Sequence, residues 1–390
     1  MNPIPRTVVI LGFVSFFTDL STEMIAPLLP VFLTTFLFAG PAAIGVIEGV
    51  AESTSSILKL VSGWWADRIP RKKPLVFAGY GISSIVRPLI AFATTWPFVL
   101  FVRFFDRVGK GLRTAPRDAL IADSVSPSIR GRAYGFHRSM DHAGAVVGPL
   151  AAAALMKWGG FDMRQVFLAT AVPAIAVILL LWLGLKETPR PVVVAKAPPD
   201  LVKGARALGR NYGMYLAALL VFTLGNSTDA FILLLLSSKG VGAGDLALLW
   251  AGFHVVKMFT TYWGGAWSDR LGRRRMVLAG WAVYAAVYFA FSMVSGTAGL
   301  IAVFMTYGVF FGFTEPSEKA WVADLVAPQA RGTAFGYYHM IIGLGALPAS
   351  ILFGLVWKAW GSSAAFGMGA GFAVLASGMM MFVRSGKQKT

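Results

Sequence analysis

The stretch "GWWADRIPRKKPL" at residues 63–75 returns as "GAWSDRLGRRRMV" at 265–277, 202 positions later. Each copy places a glycine four residues ahead of an Asp-Arg pair, with three basic residues close behind, between long apolar runs. Other pieces repeat in nearly the same register. "IAD" at 121–123 matches "VAD" at 322–324, and "RGRAYGF" at 130–136 matches "RGTAFGY" at 331–337, both at an offset of 201. A chance repeat would not hold its register across several loops, so the chain reads as two related halves.

The 390 residues are 56% hydrophobic and 14% charged, where a soluble domain carries about a quarter charged residues. Apolar segments of about 20 residues recur along the whole length, the pattern of membrane-spanning helices. The expected fold is an all-α polytopic membrane protein with twelve transmembrane helices in two pseudo-symmetric six-helix bundles. The spans are placed at 7–34, 42–66, 74–93, 97–117, 133–156, 164–185, 212–237, 245–267, 276–295, 298–322, 333–357 and 363–383. The domains follow as an N-terminal bundle at 1–186, a cytoplasmic linker at 187–211 rich in Pro and bases, and a C-terminal bundle at 212–390.

Charge orients these spans. The N-terminus, the even-to-odd connections and the C-terminal tail hold 21 of the 35 Lys and Arg, and the opposite loops hold four, counting Arg164 at the edge of its span. That asymmetry puts both termini in the cytoplasm. It also accounts for the net charge of +17 without a nucleic-acid partner. The first apolar run is read as a start helix and not as a removable signal peptide. With no Cys and four His, disulfides and thiol catalysis are excluded and no metal centre is expected. No nucleophile motif, zinc-binding His pair or phosphate-cradling loop is present, so the chain is not read as an enzyme.

The repeated loop resembles motif A of the major facilitator superfamily, the connection between its second and third helices. The residues that carry the match are Gly63, Asp67, Arg68, Arg71, Lys72 and Lys73, and in the second copy Gly265, Asp269, Arg270, Gly272, Arg273, Arg274 and Arg275. The first copy departs from the pattern in having Pro70 where the family has Gly. The resemblance covers essentially the whole chain. It implies the major facilitator fold, and a gating role for these residues as a cytoplasmic latch; the basic residues also read simply as a topology signal. A second resemblance, to the family's antiporter motif C, lies in "GFHRSMDHAGAVVGPLA": Gly135, Gly144, Gly148 and Pro149 keep its spacing, with Ala152 where another Gly is usual. This implies export, with small residues letting helices approach closely and Pro permitting a bend; ordinary helix packing gives the same composition.

Ionisable residues inside a membrane face a cavity or a partner. Arg103, Asp106, Arg107 and Lys110 follow i, i+3, i+4, i+7 and share one side of span four. They read as a substrate-contacting stripe, or as one neutralised by acids such as Asp118 or Asp141. Asp19 and Glu23, and Glu48 and Glu52, are pairs four apart, and Glu52 corresponds to His254 at the offset of 202. Asp19, Glu23, Glu52, Arg103, Asp106, Arg107, Asp229 and His254 are the substrate or proton candidates, and each carboxyl also reads as one half of a structural ion pair. Glu315 and Glu318, beside Lys319, read as gate or ion-pair residues.

The resulting expectation is a secondary active transporter of the bacterial inner membrane, exporting small organic molecules by alternating access. Protons are its coupling ion, no other cofactor is called for, and a small-molecule substrate and the bilayer are its partners. No signal for oligomers stands out, and a monomer is expected. The basic stripe motivates a second reading, the uptake or exchange of an anionic metabolite. A non-transporting sensor would leave the paired loops without a purpose.

Overall fold

In a computed structural model the chain is described over residues 3–39, 41–187 and 208–384. Residues 188–207 of the expected linker and the Glu48 side chain lie outside the described residues. Every regular element among the described residues is helical. In chain order these are α1 (Arg6–Ile25), α2 (Leu29–Thr35), α3 (Pro41–Ala66), α4 (Lys73–Val86), α5 (Trp96–Asp123), α6 (Arg130–Lys157), α7 (Met163–Ala169), α8 (Ala171–Leu179), α9 (Arg210–Gly225), α10 (Ala230–Ser238), α11 (Ala243–Leu271), α12 (Arg273–Met293), α13 (Thr297–Leu325) and α14 (Arg331–Met380).

Local chemistry sets the boundaries. Asp162 closes a capping box with Gln165 at the start of α7, satisfying two amides that have no partner within the helix. Gly272, at φ 95°, ends α11 and begins α12, a conformation that costs glycine little. Gly361, at φ 84°, breaks the 50-residue α14. Four expected spans are interrupted. The sixth breaks at Thr170, between α7 and α8. The first gives way between Ile25 and Leu29 around "APLLP", where Pro27 and Pro30 lack the N–H that a helix needs. The third ends in a 3₁₀ turn, Arg87–Phe92, that contains Pro88. The seventh unwinds over residues 226–229, between α9 and α10.

Seven helical segments among the described residues are long and apolar enough to cross a membrane: Arg6–Thr35, Lys73–Phe92, Met163–Gly184, Arg210–Ser238, Arg273–Met293, Thr297–Leu325 and Pro328–Met380. The helices α3, α5, α6 and α11, of 26 to 29 residues, have the length but carry too many polar side chains.

Two compact units form. One gathers Met1–Val125, Met140–Ala197 and Gln329–Gly336, and the other gathers Ser126–Ser139, Pro198–Pro328 and Tyr337–Thr390. In the first, Phe32 meets Phe167 edge-on at 5.2 Å within a core that includes Ile47, Val99 and Val102. Glycines bring its helices together: Gly79 of α4 lies against Gly109 of α5, and Ser62 of α3 donates to the Gly111 carbonyl of α5 at 2.7 Å. Such small-residue contacts supply the close packing that lipid surroundings do not drive. The second unit is cored by aromatic rings, with Phe222 stacked on Trp281 at 4.6 Å and Tyr307 on Phe310 at 5.7 Å.

Candidate functional site

The repeated loops build the same structure twice. In the first unit the Asp67 carboxylate accepts from the backbone N–H of Gly332 at 2.8 Å and of Thr333 at 2.7 Å. These amides open α14, so the acid sits at a helix N-terminus, where unpaired N–H groups and the helix dipole favour an anion. Beside it Asp123 pairs with Lys72 at 3.2 Å and with Arg331 at 2.7 Å. In the second unit Asp269 accepts from the amides of Gly131 and Arg132, which open α6, at 2.9 and 2.8 Å. Asp324 there pairs with Arg130 and with Arg273. Burial pushes the Asp67 carboxyl up to about 6, against the pull of its Thr333 and Gly332 bonds and of Lys72. Asp269 is also raised by burial, with Arg273 opposing. Gly63 and Gly265 lie against the carbonyls of Gly332 and Gly131, leaving no room for a side chain.

The remaining basic residues of the motif take other positions. Arg68 donates to the Trp64 carbonyl at 3.0 Å, with its guanidinium 3.9 Å from that ring's centroid. Arg71 and Arg270 are exposed. Asp123, Asp324, Arg130 and Arg331 complete both clusters and were not singled out from the sequence; their signal was the paired "IAD/VAD" and "RG" repeats.

The stripe on α5 divides. Asp106, 2% exposed, turns into the bundle and accepts from Arg87 Nε at 2.8 Å, while Arg87 also donates to the Thr18 carbonyl at 2.9 Å. Arg113 donates to Ser83 at 2.7 Å, and Arg117 donates twice to Asp118 and once to Tyr80. Arg103, Arg107 and Lys110 are half-buried, and Arg103 lines the same small cavity as Arg87 and Asp106. Glu23 of α1 and Glu52 of α3 lie within electrostatic reach of Arg107 and Lys110, and Lys59 stands 4.0 Å from Glu52. Asp19 is half-buried on α1, one turn before Glu23. The first unit thus brings Asp19, Glu23, Glu52, Arg103 and Arg107 into one polar region, with the Arg87–Asp106 pair beside it. Arg87 escaped the sequence reading although it is a lone cation in an apolar span.

Asp229 and His254 belong to the second unit. Asp229 begins α10 and accepts from Tyr307 at 3.1 Å, beside the charge of Lys257. The Lys257 ammonium sits 3.7 Å from the Phe311 ring centroid. His254 packs edge-on to Trp250 at 5.3 Å. Glu315 receives two bonds from Arg138, at 2.9 and 2.5 Å, whereas Glu318 has no such bond from a cation among the described residues.

The motif C glycines line a seam between α1 and α6. A side chain at Gly144 would meet the Phe16 carbonyl, and one at Gly148 would come within 2.8 Å of Glu23 Cβ and of the Leu20 carbonyl. Ser15 donates to Asp141 across the same seam at 2.5 Å. The helix continues through Pro149 to Lys157. Gly135 packs instead on the Thr261 carbonyl, in the second unit.

A family model of the Major Facilitator Superfamily matches residues 11–256 and 214–390. An uncharacterised MFS-type transporter of Methanocaldococcus jannaschii is 28% identical over 384 residues, covering 97% of this chain and 95% of the relative. The multidrug resistance protein MdtH of Sodalis glossinidius is 26% identical over 314 residues, 77% of this chain and 74% of its own. Among solved structures, the fucose:proton symporter FucP of E. coli superposes with a TM-score of 0.78 at 15% identity, over 97% of this chain and 98% of its own. The human organic anion transporter MFSD10 does so at 0.77 and 14%, over 97% and 100%. Both structures speak for the fold alone. The chain belongs to the major facilitator superfamily, and is a membrane transporter and not an enzyme.

Proposed function

We propose that this transporter exports small organic molecules by alternating access, with protons moving inward as the driving ion. The observation that carries the reading is the α1–α6 seam. Gly144 and Gly148 press α6 onto the backbone of α1 beside Glu23, so a membrane carboxyl lies against the element whose spacing resembles that of the family's antiporters. The likeness to a multidrug resistance protein over three-quarters of the chain supports the same direction. The two Asp–amide clusters serve as latches that hold one conformer and release it when the cavity changes sides.

The architecture proposed with this function has twelve spans. Seven segments qualify by apolarity, four more helices have the length, and the break at Gly361 divides the last segment in two. Both termini face the cytoplasm, in a bacterial inner membrane, with bundles at 1–186 and 212–390 joined by a linker at 187–211. The gating set is Gly63, Asp67, Arg68, Arg71, Asp269, Arg270, Arg273, Gly144, Gly148 and Pro149.

The test is a screen of dyes and drugs on purified protein in liposomes under an imposed pH gradient. Accumulation in inside-out vesicles with an acidified lumen, abolished by a protonophore, is the expected result. Accumulation that ignores the gradient rejects coupling, and gradient-dependent import into whole cells reverses the direction.

A further inference from the structure

Glu318 is a buried carboxyl whose hydrogen bonds, among the described residues, come from neutral groups. It is 6% exposed. One oxygen accepts from the Trp281 indole at 3.2 Å and the other from the Tyr338 hydroxyl at 2.9 Å. It has no ion-pair partner among the described residues, although Lys319 follows it in the chain and acts on it through space. One turn earlier on the same helix, Glu315 has the bidentate bond from Arg138. The titratable groups around Glu318 are therefore Glu315 and Lys319 on α13, Tyr338 on α14 and Tyr215 on α9.

Two details distinguish this pocket from a structural ion pair. The first is the chemistry of its donors. An indole N–H only donates, whereas a phenolic hydroxyl donates or accepts. A carboxylate at 318 takes both bonds; a carboxylic acid keeps the indole bond and turns its own O–H onto the Tyr338 oxygen. The same heavy-atom positions serve both states, so a proton is gained or lost without repacking. Tyr215 and Ser317 add buried hydroxyls that have no hydrogen-bond partner among the described residues. The second detail is the repeat. At the offset of 201, Trp281 and Glu318 correspond to Tyr80 and Arg117. There Arg117 bonds to Tyr80 at 3.3 Å and is neutralised by Asp118. Lys319 stands where Asp118 does, so each half carries neighbouring opposite charges; among the described residues Arg117 and Asp118 bond directly, whereas Glu318 takes its bonds from the indole and the phenol.

We propose that Glu318 is the residue that binds the coupling proton, with Tyr338 as its reversible hydrogen-bond partner. The step breaks and makes only O–H bonds: a proton from water is taken up on a Glu318 oxygen, and it is later returned to water on the other side. This inference rests on the proton-coupled reading above. A buried carboxylate ion whose hydrogen bonds come from neutral donors is costly, and the proton lowers that cost while the substrate site reorients.

The decisive measurement is pH-difference infrared spectroscopy on the purified full-length protein in lipid nanodiscs. A protonated-carboxyl C=O band that is present in the wild type and in Glu315→Gln, absent in Glu318→Gln, and shifted in Tyr338→Phe is the expected result. An undiminished band in Glu318→Gln overturns the proposal. Should Glu318→Gln fail to fold, the Tyr338→Phe shift decides alone, and an unshifted band there overturns it. In liposomes with ethidium as the probe, Glu318→Gln should lose at least tenfold of gradient-driven accumulation yet keep gradient-free equilibration; full retention of driven accumulation also overturns it. If the wild type moves no ethidium with the gradient, that failure counts against the export reading, and the infrared result still decides the assignment of Glu318.

Discussion

Replacing Asp67 by Ala removes the carboxylate that accepts from two amides at the start of α14, those of Gly332 and Thr333. Each buried N–H left without a partner costs about 1–3 kcal/mol, so the pair comes to roughly 2–6 kcal/mol. Even about 2 kcal/mol is roughly a 30-fold increase in local opening. The readout is hydrogen exchange at Gly332 and Thr333 in the purified protein. Asp67→Asn is milder, because its side-chain oxygen keeps one amide and it no longer buries a charge. The acid also makes the contact pH-sensitive, with a definite sign. The Asp67 carboxyl goes from 3.8 to about 6 in the buried contact, so the closed form binds the proton more readily than the open one. The contact is favoured most below about 3.8, and the gain is lost as pH rises through about 6. Between pH 7 and pH 5, protection corrected for intrinsic exchange should rise about tenfold, and this slope should vanish in Asp67→Asn. Unchanged exchange in Asp67→Ala, or protection that falls on acidification, refutes the reasoning.

Three other outcomes are expected. Asp106→Ala leaves the Arg87 guanidinium buried without its partner and should cost about 3–5 kcal/mol in thermal or denaturant unfolding; Arg87→Met combined with Asp106→Leu should recover most of it, and an equally unstable double variant contradicts the pairing. Gly144→Ala places a methyl against the Phe16 carbonyl, whereas nothing lies within 4 Å at Gly213, so the first should cost about 1–3 kcal/mol and slow transport while Gly213→Ala does neither. In this chain without native cysteines, Lys239→Cys should react with an impermeant thiol reagent from outside intact cells and Arg210→Cys should not; labelling of the second reverses the orientation.

Much of the architecture was legible because its evidence is local. Apolar runs and loop charge mark helices wherever they pack, and the offset of the repeat needs no partner to be seen. The breaks were less visible, since a proline or a polar run such as residues 226–229 weakens a helix without dictating where it stops. Side-chain partnership was the least legible. Helical period put Arg103, Asp106, Arg107 and Lys110 on one side of α5, and that is true of their Cα positions. Yet Asp106 turns toward Arg87, from a 3₁₀ turn 19 residues earlier, and period carries no information about that neighbour. Glu315 and Glu318 likewise looked equivalent. They differ because Arg138 reaches one from 177 residues away, while Trp281 and Tyr338 enclose the other.

The latch shows where that boundary falls. Its acceptor is written in the sequence, as Asp67 and again as Asp269. Its donors are backbone amides 265 and 138 residues distant, and every residue but proline carries such a donor, so nothing in composition points to them. What the sequence does carry is the space they need. A side chain at Gly332 would run into the Gly63 carbonyl and Asp67, and one at Gly131 into the Gly265 carbonyl and Asp269. Only glycine on both sides lets the helix start come close enough for two N–H groups to meet one carboxylate. The repeated "RG" at 130–131 and 331–332 is therefore the visible half of the donor site: the arginine reaches the neighbouring Asp324 or Asp123, and the glycine clears the approach. A glycine whose repeat partner is also glycine, next to a basic residue and more than a hundred residues from an acid repeated at nearly the same offset, marks a contact that no pairing of side chains would reveal.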